Sequence, residues 1–229
     1  MFASLQVADV GLLKSFRVRP PSPDAVPGLR DARSGLMARF TDSLTPDPAF
    51  GRAMWLGFWD DEAAFERFNE SGSALLDTFG GGWTLGMTPL KAHGSWPGFP
   101  ADLGGDGDDG GPVVVMTLGL LRMRRALAWT RASNKVQQQF LETSGVVWAM
   151  GASKPPFFAA TVSVWESAAD AAGFAHRQGE AHAAAAKENA ADPFMRQEIF
   201  ARFKPVWSKG SLGPNPDLAE GWLAGRTAA

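Results

Sequence analysis

The 229-residue sequence contains no cysteine and no tyrosine. The absence of thiols excludes disulfides, iron–sulfur clusters and thiolate zinc sites. The absence of phenols excludes tyrosyl radicals and phenolate ligands. Besides methionine, only three histidines remain as soft ligands, at positions 93, 176 and 182. Any metal centre with a soft ligand must therefore use one of these side chains.

The sequence also lacks a basic excess and a long apolar run. It has 22 Lys and Arg against 24 Asp and Glu, spread along the chain, for a net charge of −2. Nucleic-acid binding would need a basic face, so we expect no nucleic-acid partner. No stretch approaches the roughly 20 apolar residues of a membrane span, and residues 1–20 do not resemble an export signal. We therefore expect a cytoplasmic protein without a membrane span.

A segment rich in Gly, Pro and Asp interrupts the hydrophobic periodicity near the middle of the chain. It predicts an N-terminal half over residues 1–99, a linker over 100–112 and a C-terminal half over 113–229. Each half has about 100 residues, which is enough to bury a hydrophobic core. The chain therefore divides into two units of similar size.

The two halves resemble each other when they are set in register. Residues 54–68 and 160–174 align without a gap, and both read as a strand that ends in Trp and continues into an amphipathic helix. Further on, each half contains a strand that ends in Gly-Ser. Self-similarity of this kind predicts an internal repeat.

The C-terminal half predicts the order strand, helix, strand, strand, helix, strand. Its elements are expected at 113–121, 125–144, 145–153, 157–165, 167–190 and from 203 onward, and Ser167 with Asp170 forms a capping box at the start of the second helix. This order is ferredoxin-like. In the N-terminal half we expect the first helix around residues 28–40. The predicted fold class is α+β: two ferredoxin-like repeats packed sheet to sheet as a dimeric α/β-barrel pseudo-dimer in one chain.

His182 is the strongest candidate ligand. Its neighbours at helical spacing are small or of medium size, and they include Gly179 and Ala186. Small neighbours would let a flat macrocycle such as haem approach the helix. His176 lies about 120° away on a continuous helix, so the two histidines cannot share one ion. The alternative reading is that the alanines reflect helix propensity alone and that all three histidines are ordinary side chains.

Three arginines, Arg122, Arg124 and Arg125, cluster where the first strand of the C-terminal half meets its helix. Their guanidinium groups suit carboxylates such as haem propionates. The alternative is a solvated strand end.

Several stretches resemble bacterial spheroidene monooxygenase, a haem-containing carotenoid-oxidising enzyme. They are WTLGMTPLKAHGSWPGF, GVVWAMGASKPPFFAATVSVWESAADAAGFAHRQGEAH and EIFARFKPVWSKGSLG. The resemblance implies a haem b monooxygenase acting on a small apolar molecule such as a carotenoid, with His182 as the iron ligand. Glu198 would then accept the second N–H of that imidazole, and Trp148, Met150 or Thr161 would line an apolar distal cavity.

Other functions remain open. The chain could be a haem carrier or sensor without turnover, or a cofactor-free dimeric α/β-barrel binding protein. The electron donor is unknown from the sequence, and a homo-oligomer formed through an exposed sheet edge is a further alternative.

Overall fold

The computed structural model describes residues 1–40, 47–100, 103, 110–176 and 181–212, and only the backbone of residues 47, 176, 181 and 182. The chain folds into a closed barrel of eight strands with helices on its outside. The strands are β1 (Phe2–Asp9), β2 (Leu29–Arg39), β3 (Asp47–Trp59), β4 (Trp83–Gly94), β5 (Val113–Leu121), β6 (Val146–Lys154), β7 (Phe158–Trp165) and β8 (Met195–Gly210). The helices are α1 (Leu12–Ser15), α2 (Glu62–Asn69), α3 (Ala74–Phe79), α4 (Ala126–Leu141), α5 (Ala168–His176) and α6 (Ala181–Ala191).

The strands follow the order β1-β3-β2-β6-β7-β5-β8-β4 around the barrel, and each pairs antiparallel with two neighbours. Each half contributes four adjacent strands with its first strand between its third and its fourth, which is the ferredoxin-like arrangement. The predicted α+β, ferredoxin-like class is therefore confirmed. Because the ring is closed, the described strands leave no free sheet edge for a second copy.

The inner faces of all eight strands meet in one hydrophobic core. Large side chains from both halves are fully buried there: Met37, Met54, Leu56, Phe58, Trp83, Leu85, Met116, Val162 and Phe203. Side chains alternate along each strand, so every second residue points outward, toward the helices. The two outer faces are therefore the places where the halves can differ without disturbing the common core.

The C-terminal half follows its sequence pattern closely. Strands β5, β6 and β7 lie within a residue of their predicted bounds. The capping box is also confirmed, because Ser167 Oγ accepts the Asp170 N–H at 3.1 Å and donates to the Asp170 carboxylate at 2.6 Å. The single helix expected over 167–190 is instead two described helices, α5 and α6, separated by residues 177–180, which lie outside the described residues.

The helix expected around residues 28–40 is wrong. That segment is strand β2, which pairs with β3 along most of its length and with β6 through Leu36 to Arg39. Gly35 allows β2 to approach β6 closely, because a Cβ atom at this position would lie 3.1 Å from the backbone of Ser153. The partner strand β6 lies more than a hundred residues away in sequence, so local periodicity did not reveal the pairing.

Candidate functional site on the outer face of the second half

A row of four paired residues crosses the outer face of the C-terminal sheet, and the side chains of three of them are short or absent. Gly151 on β6 pairs with Thr161 on β7, which pairs with Thr117 on β5, which pairs with Phe200 on β8. The three strand spacings between the ends of this row span about 14 Å. Gly151, Thr161 and Thr117 are half-buried. A broad shallow strip therefore runs across four strands beneath the helices.

The same face of the N-terminal sheet is filled. Trp55 on β3 and Thr161 on β7 each lie four residues before the tryptophan that ends their strand. Trp55 therefore has the position in the first half that Thr161 has in the second. Trp55 is fully buried, and its ring lies 5.4 Å from the ring of Phe68 on α2. Opposite it, Gln6 takes the place of Thr117. The second half thus lacks an indole-sized side chain at this position.

Two separate apolar clusters flank the strip. One lies at the far end of α4, where Phe140, Phe174 and Trp165 pack with ring centroids 4.2–5.5 Å apart. The other lies near the start of α4 and contains Phe194 and Met195. Among the described residues, the clusters therefore form two apolar walls with short side chains between them.

The predicted arginine cluster joins α4 to α6. Arg125 contacts Glu188 at 2.9 Å and Asp192 at 3.3 Å, and its guanidinium lies over the Phe194 ring. Arg124 makes a bidentate pair with Asp192, which raises the pKa of Arg124 and lowers the pKa of Asp192.

Arg122 donates instead to the backbone oxygen of Met195 at 3.1 Å. All three arginines therefore bind protein groups here. Arg124 and Arg125 fix the end of α6 against the start of α4, whereas Arg122 contacts the start of β8.

Glu198 lies on the outer face of β8 and accepts a hydrogen bond from Asn189 of α6 at 3.0 Å. The Asn189 amide oxygen in turn accepts the Phe194 N–H at 2.8 Å. Residue 182 precedes Asn189 by seven positions on the same helix, which places the two about 20° apart around the axis and about 10 Å apart along it. Glu198 is thus one of the residues that fix α6 against the sheet.

Only some of the other residues predicted to contact haem belong to the described part of the chain. The backbone of His182 belongs to α6, while its side chain and that of His176 lie outside the described residues, as does all of Gly179. Ala186 is exposed on α6, and His93 is exposed on β4 beside Phe200. Within the described ranges, no three His, Asp or Glu side chains gather in a way that could hold a metal ion.

The three residues suggested for a distal cavity lie on opposite faces of the sheet. Trp148 and Met150 point into the barrel core, where the Trp148 ring lies 5.5 Å from that of Trp83. Thr161 points outward, into the strip. These side chains therefore cannot line one cavity together.

Sequence reasoning missed the contrast between Trp55 and Thr161, although the signal was present. The ungapped alignment of residues 54–68 with 160–174 already sets these two residues opposite each other. The consequence of this difference in size depends on which face of the sheet the two residues occupy, and the sequence alone did not determine that face.

Two curated relatives match the chain. Spheroidene monooxygenase of Rhodobacter capsulatus is 28% identical over 150 residues, which cover 63% of this chain and 61% of the relative. Spheroidene monooxygenase of Cereibacter sphaeroides is 24% identical over 189 residues, 79% of this chain and 57% of the relative. The matched region thus spans about three fifths of each relative, and no family model matches. The chain is related to the spheroidene monooxygenases.

The chain is also similar to solved structures. An aldoxime dehydratase superposes with a TM-score of 0.50 at 15% identity and covers 90% of this chain and 81% of its own. A monooxygenase-like protein of Fusobacterium nucleatum covers 92% of this chain with a TM-score of 0.41 and 10% identity. At 15% identity, the similarity to the aldoxime dehydratase concerns the fold alone.

No described helix is long and apolar enough to cross a bilayer.

Proposed function

We propose that this relative of the spheroidene monooxygenases is a haem-dependent oxidoreductase of monooxygenase type. The observation that carries the proposal is the exchange of Trp55 for Thr161 between corresponding positions of the two outer faces. The strip in the second half crosses four strands and has apolar clusters on both sides. Its width supports a planar macrocycle as the ligand, whereas Trp55 occupies the corresponding position of the first half.

The corresponding positions also support an internal duplication. Both sheets have the same strand order, and in both a fully buried tryptophan, Trp59 or Trp165, ends the third strand at the aligned position. We therefore propose that the halves 1–99 and 113–229 are two ferredoxin-like repeats that form a pseudo-dimer. The linker at 100–112 lies largely outside the described residues.

His182 is the proposed iron ligand, because α6 is the helix that runs beside α4 over this sheet. Arg125 at the start of α4 pairs with Glu188 near the end of α6. Residue 182 precedes Glu188 by six positions, and because the two helices run in opposite directions it lies level with about residue 131 of α4. That level lies between the two apolar clusters, where Asn134 of α4 is buried. In the first half, the residue aligned with His182 is Leu76 of α3, which packs against the outer cluster there.

The remaining residues have positioning roles in this proposal. Asn189 and Glu198 hold the far end of α6 on β8, and Arg124 and Arg125 hold it on α4. Together they fix the helix that presents residue 182. The side chains of Thr117 and Thr161 offer hydroxyl groups within an otherwise apolar strip, where they can orient a polar group of a substrate.

Haem b bound at this site would supply the oxidising chemistry, which the side chains of the chain do not provide. The apolar walls favour a substrate with little charge, such as a carotenoid. The walls also exclude water from the reacting region.

The absorption spectrum of the haem-loaded protein tests the ligand assignment. We expect a ligated Soret band in the wild type and in His93→Ala, and a shifted or lost band in His182→Ala. His93→Ala is a matched control because His93 is exposed on β4, two strands away from Thr117. A wild-type spectrum in His182→Ala would refute the assignment.

Turnover tests the enzymatic part. With a reductant under oxygen, we expect conversion of a carotenoid such as spheroidene by the wild type and none by His182→Ala. Stable haem binding without any product would instead favour a haem carrier or sensor.

A further inference from the structure

A compact apolar surface projects from the end of the barrel that follows β1. It consists of Leu12 and Leu13 of α1, Phe16 at the end of that helix, and Phe50 at the start of β3, and we refer to these four residues as the α1 tip. Their side chains are 54–70% exposed, and the rings of Phe16 and Phe50 lie 6.4 Å apart. Single exposed apolar residues are ordinary, but a contiguous patch marks a contact surface.

The chain segment that carries α1 is positively charged. Residues 10–20 contain Lys14, Arg17 and Arg19 and no acidic residue, a balance of +3 in a chain whose net charge is −2. All three basic residues are exposed. The neighbouring Asp9 is already engaged by Arg52 through two hydrogen bonds of 2.8 Å. The described surface around the tip therefore attracts anions.

The α1 tip is held firmly on the barrel. The backbone N–H groups of Val10 and Gly11 donate to the Gly51 oxygen at 2.7 and 3.1 Å. On the other side of the tip, the Val18 oxygen accepts from Ser34 Oγ at 2.9 Å and from Lys154 Nζ at 2.7 Å. The tip is thus fixed at both ends, and its exposure does not arise from a loose segment.

The combination of charge and shape decides between the candidate occupants. A symmetric contact with a second copy would bring two +3 segments together, which is unfavourable. A peptide would need a groove along the tip, but the pocket beside it is lined by Phe16 and not by Leu12, Leu13 or Phe50. An anionic lipid surface satisfies both features, because apolar side chains enter the acyl boundary while Lys and Arg meet the headgroups.

We propose that the α1 tip docks this protein on anionic lipid membranes. The four apolar side chains would insert into the membrane, and the three basic residues would contact the lipid headgroups. This proposal does not depend on the haem site, and it places a protein that acts on an apolar molecule at the phase in which such molecules dissolve.

Co-sedimentation of the full chain with lipid vesicles tests the proposal. The vesicles are pure phosphatidylcholine in one arm and phosphatidylcholine mixed with phosphatidylglycerol in the other. We expect binding to the anionic vesicles only, with loss at high salt. Leu13→Ser with Phe50→Ser is expected to lower the partition coefficient at least about tenfold. Lys14→Gln with Arg17→Gln is expected to lower it about fivefold per charge.

The control variant is Leu127→Ser, since Leu127 is equally exposed, at 74%, but lies on α4. It should bind vesicles as the wild type does, and far-UV circular dichroism should confirm that all variants are folded. Equal binding by the tip variant and the wild type would overturn the proposal, as would a lack of binding to either vesicle type. A wild-type dimer that the tip variant converts to a monomer in analytical ultracentrifugation, without vesicle binding, would assign the surface to a second copy instead.

Discussion

Thr161 occupies, on the outer face of the second half of the barrel, the position that Trp55 occupies on the first. Both residues lie four positions before the tryptophan that ends the strand. Trp55 is fully buried under α2, whereas Thr161 is half-buried in an open strip. In the proposed function, this exchange distinguishes a face that serves packing from the face that accepts the ligand.

Refilling the strip should abolish the ligand site. Thr161→Trp introduces the side chain that the first half carries. Overpacking costs about 1–3 kcal/mol, so we expect haem affinity to fall at least about fivefold. Titration of haem followed at the Soret band measures this. Thr88→Trp, on the outer face of β4, is the control and should titrate like the wild type. Wild-type affinity in Thr161→Trp would contradict the proposed location.

The ion pair between Arg125 and Glu188 should couple α4 to α6. The Arg125 side chain is 17% exposed and that of Glu188 is 48% exposed, so screening by solvent limits the interaction to about 0.5–1 kcal/mol. A double-mutant cycle on the free energy of unfolding in urea, with Arg125→Ala and Glu188→Ala, measures the coupling.

The same two single variants should also weaken haem binding, because α6 carries His182. Variants of the Arg30–Asp60 pair, a comparable surface contact of 2.6 Å in the first half, should leave the haem titration unchanged. A coupling energy of zero between Arg125 and Glu188, or an equal effect of the Arg30–Asp60 variants on haem, would contradict this expectation.

Asp31 should contribute a distinctive dependence of stability on pH. Burial raises the pKa of its carboxyl above the ordinary value, although Arg33 and the Trp96 indole oppose this shift. The native state therefore binds this proton more tightly than the unfolded state. The contribution of Asp31 to the free energy of unfolding falls as the pH rises from the ordinary pKa of the carboxyl toward its raised pKa in the native state. Urea unfolding of wild type and Asp31→Asn across that range should show the falling difference, whereas a rising difference would have the wrong sign.

Removal of the whole carboxyl is expected to be more costly. In Asp31→Ala the Trp96 Nε1–H loses its acceptor at 2.8 Å and Arg33 loses its ion pair. A buried donor left unsatisfied costs about 1–3 kcal/mol. Asp31→Asn keeps an acceptor oxygen, so its loss of stability at neutral pH should be smaller. Equal losses in the two variants would show that the Trp96 contact contributes nothing.

The Trp59–Ser4 and Trp165–Ser163 hydrogen bonds should stabilise the two halves independently. Ser4→Ala and Ser163→Ala each leave a buried indole N–H without its acceptor, at an expected cost of about 1–3 kcal/mol. The two sites lie in different halves and share no partner, so their effects should add in the double variant. Thermal unfolding of the single and double variants measures this, and a strongly non-additive result would contradict the independence of the two sites.

Local sequence patterns were sufficient for strands β5, β6 and β7 and for the start of α5. Strand β5 is rich in branched residues, β7 alternates and ends at Trp165, and Ser167 begins a helix through a hydrogen bond to a residue three positions on. These signals depend on residues a few positions apart, so they do not require contacts with distant parts of the chain. The segment 28–40 shows the opposite case, because its strand conformation depends on partners in β3 and β6.

The candidate site follows the same division. The sequence identified His182, the glycine and alanines around it, and the arginines Arg122, Arg124 and Arg125 as candidates. It did not show that Arg124 and Arg125 bind acidic residues of α6, nor that Trp148 lies in the core, because those outcomes depend on how helices pack on the sheet.

By itself, the sequence determined the ferredoxin-like order of elements, the similarity of the two halves and the exclusion of thiolate and phenolate chemistry. It could do so because these properties depend on residue types and on periodicities of two and 3.6 residues. The tertiary structure alone decided that β2 joins β6, that the barrel closes, and that the outer face is filled at Trp55 and open at Thr161. Those features depend on contacts between residues far apart in the chain, where register assigns each side chain to one face or the other.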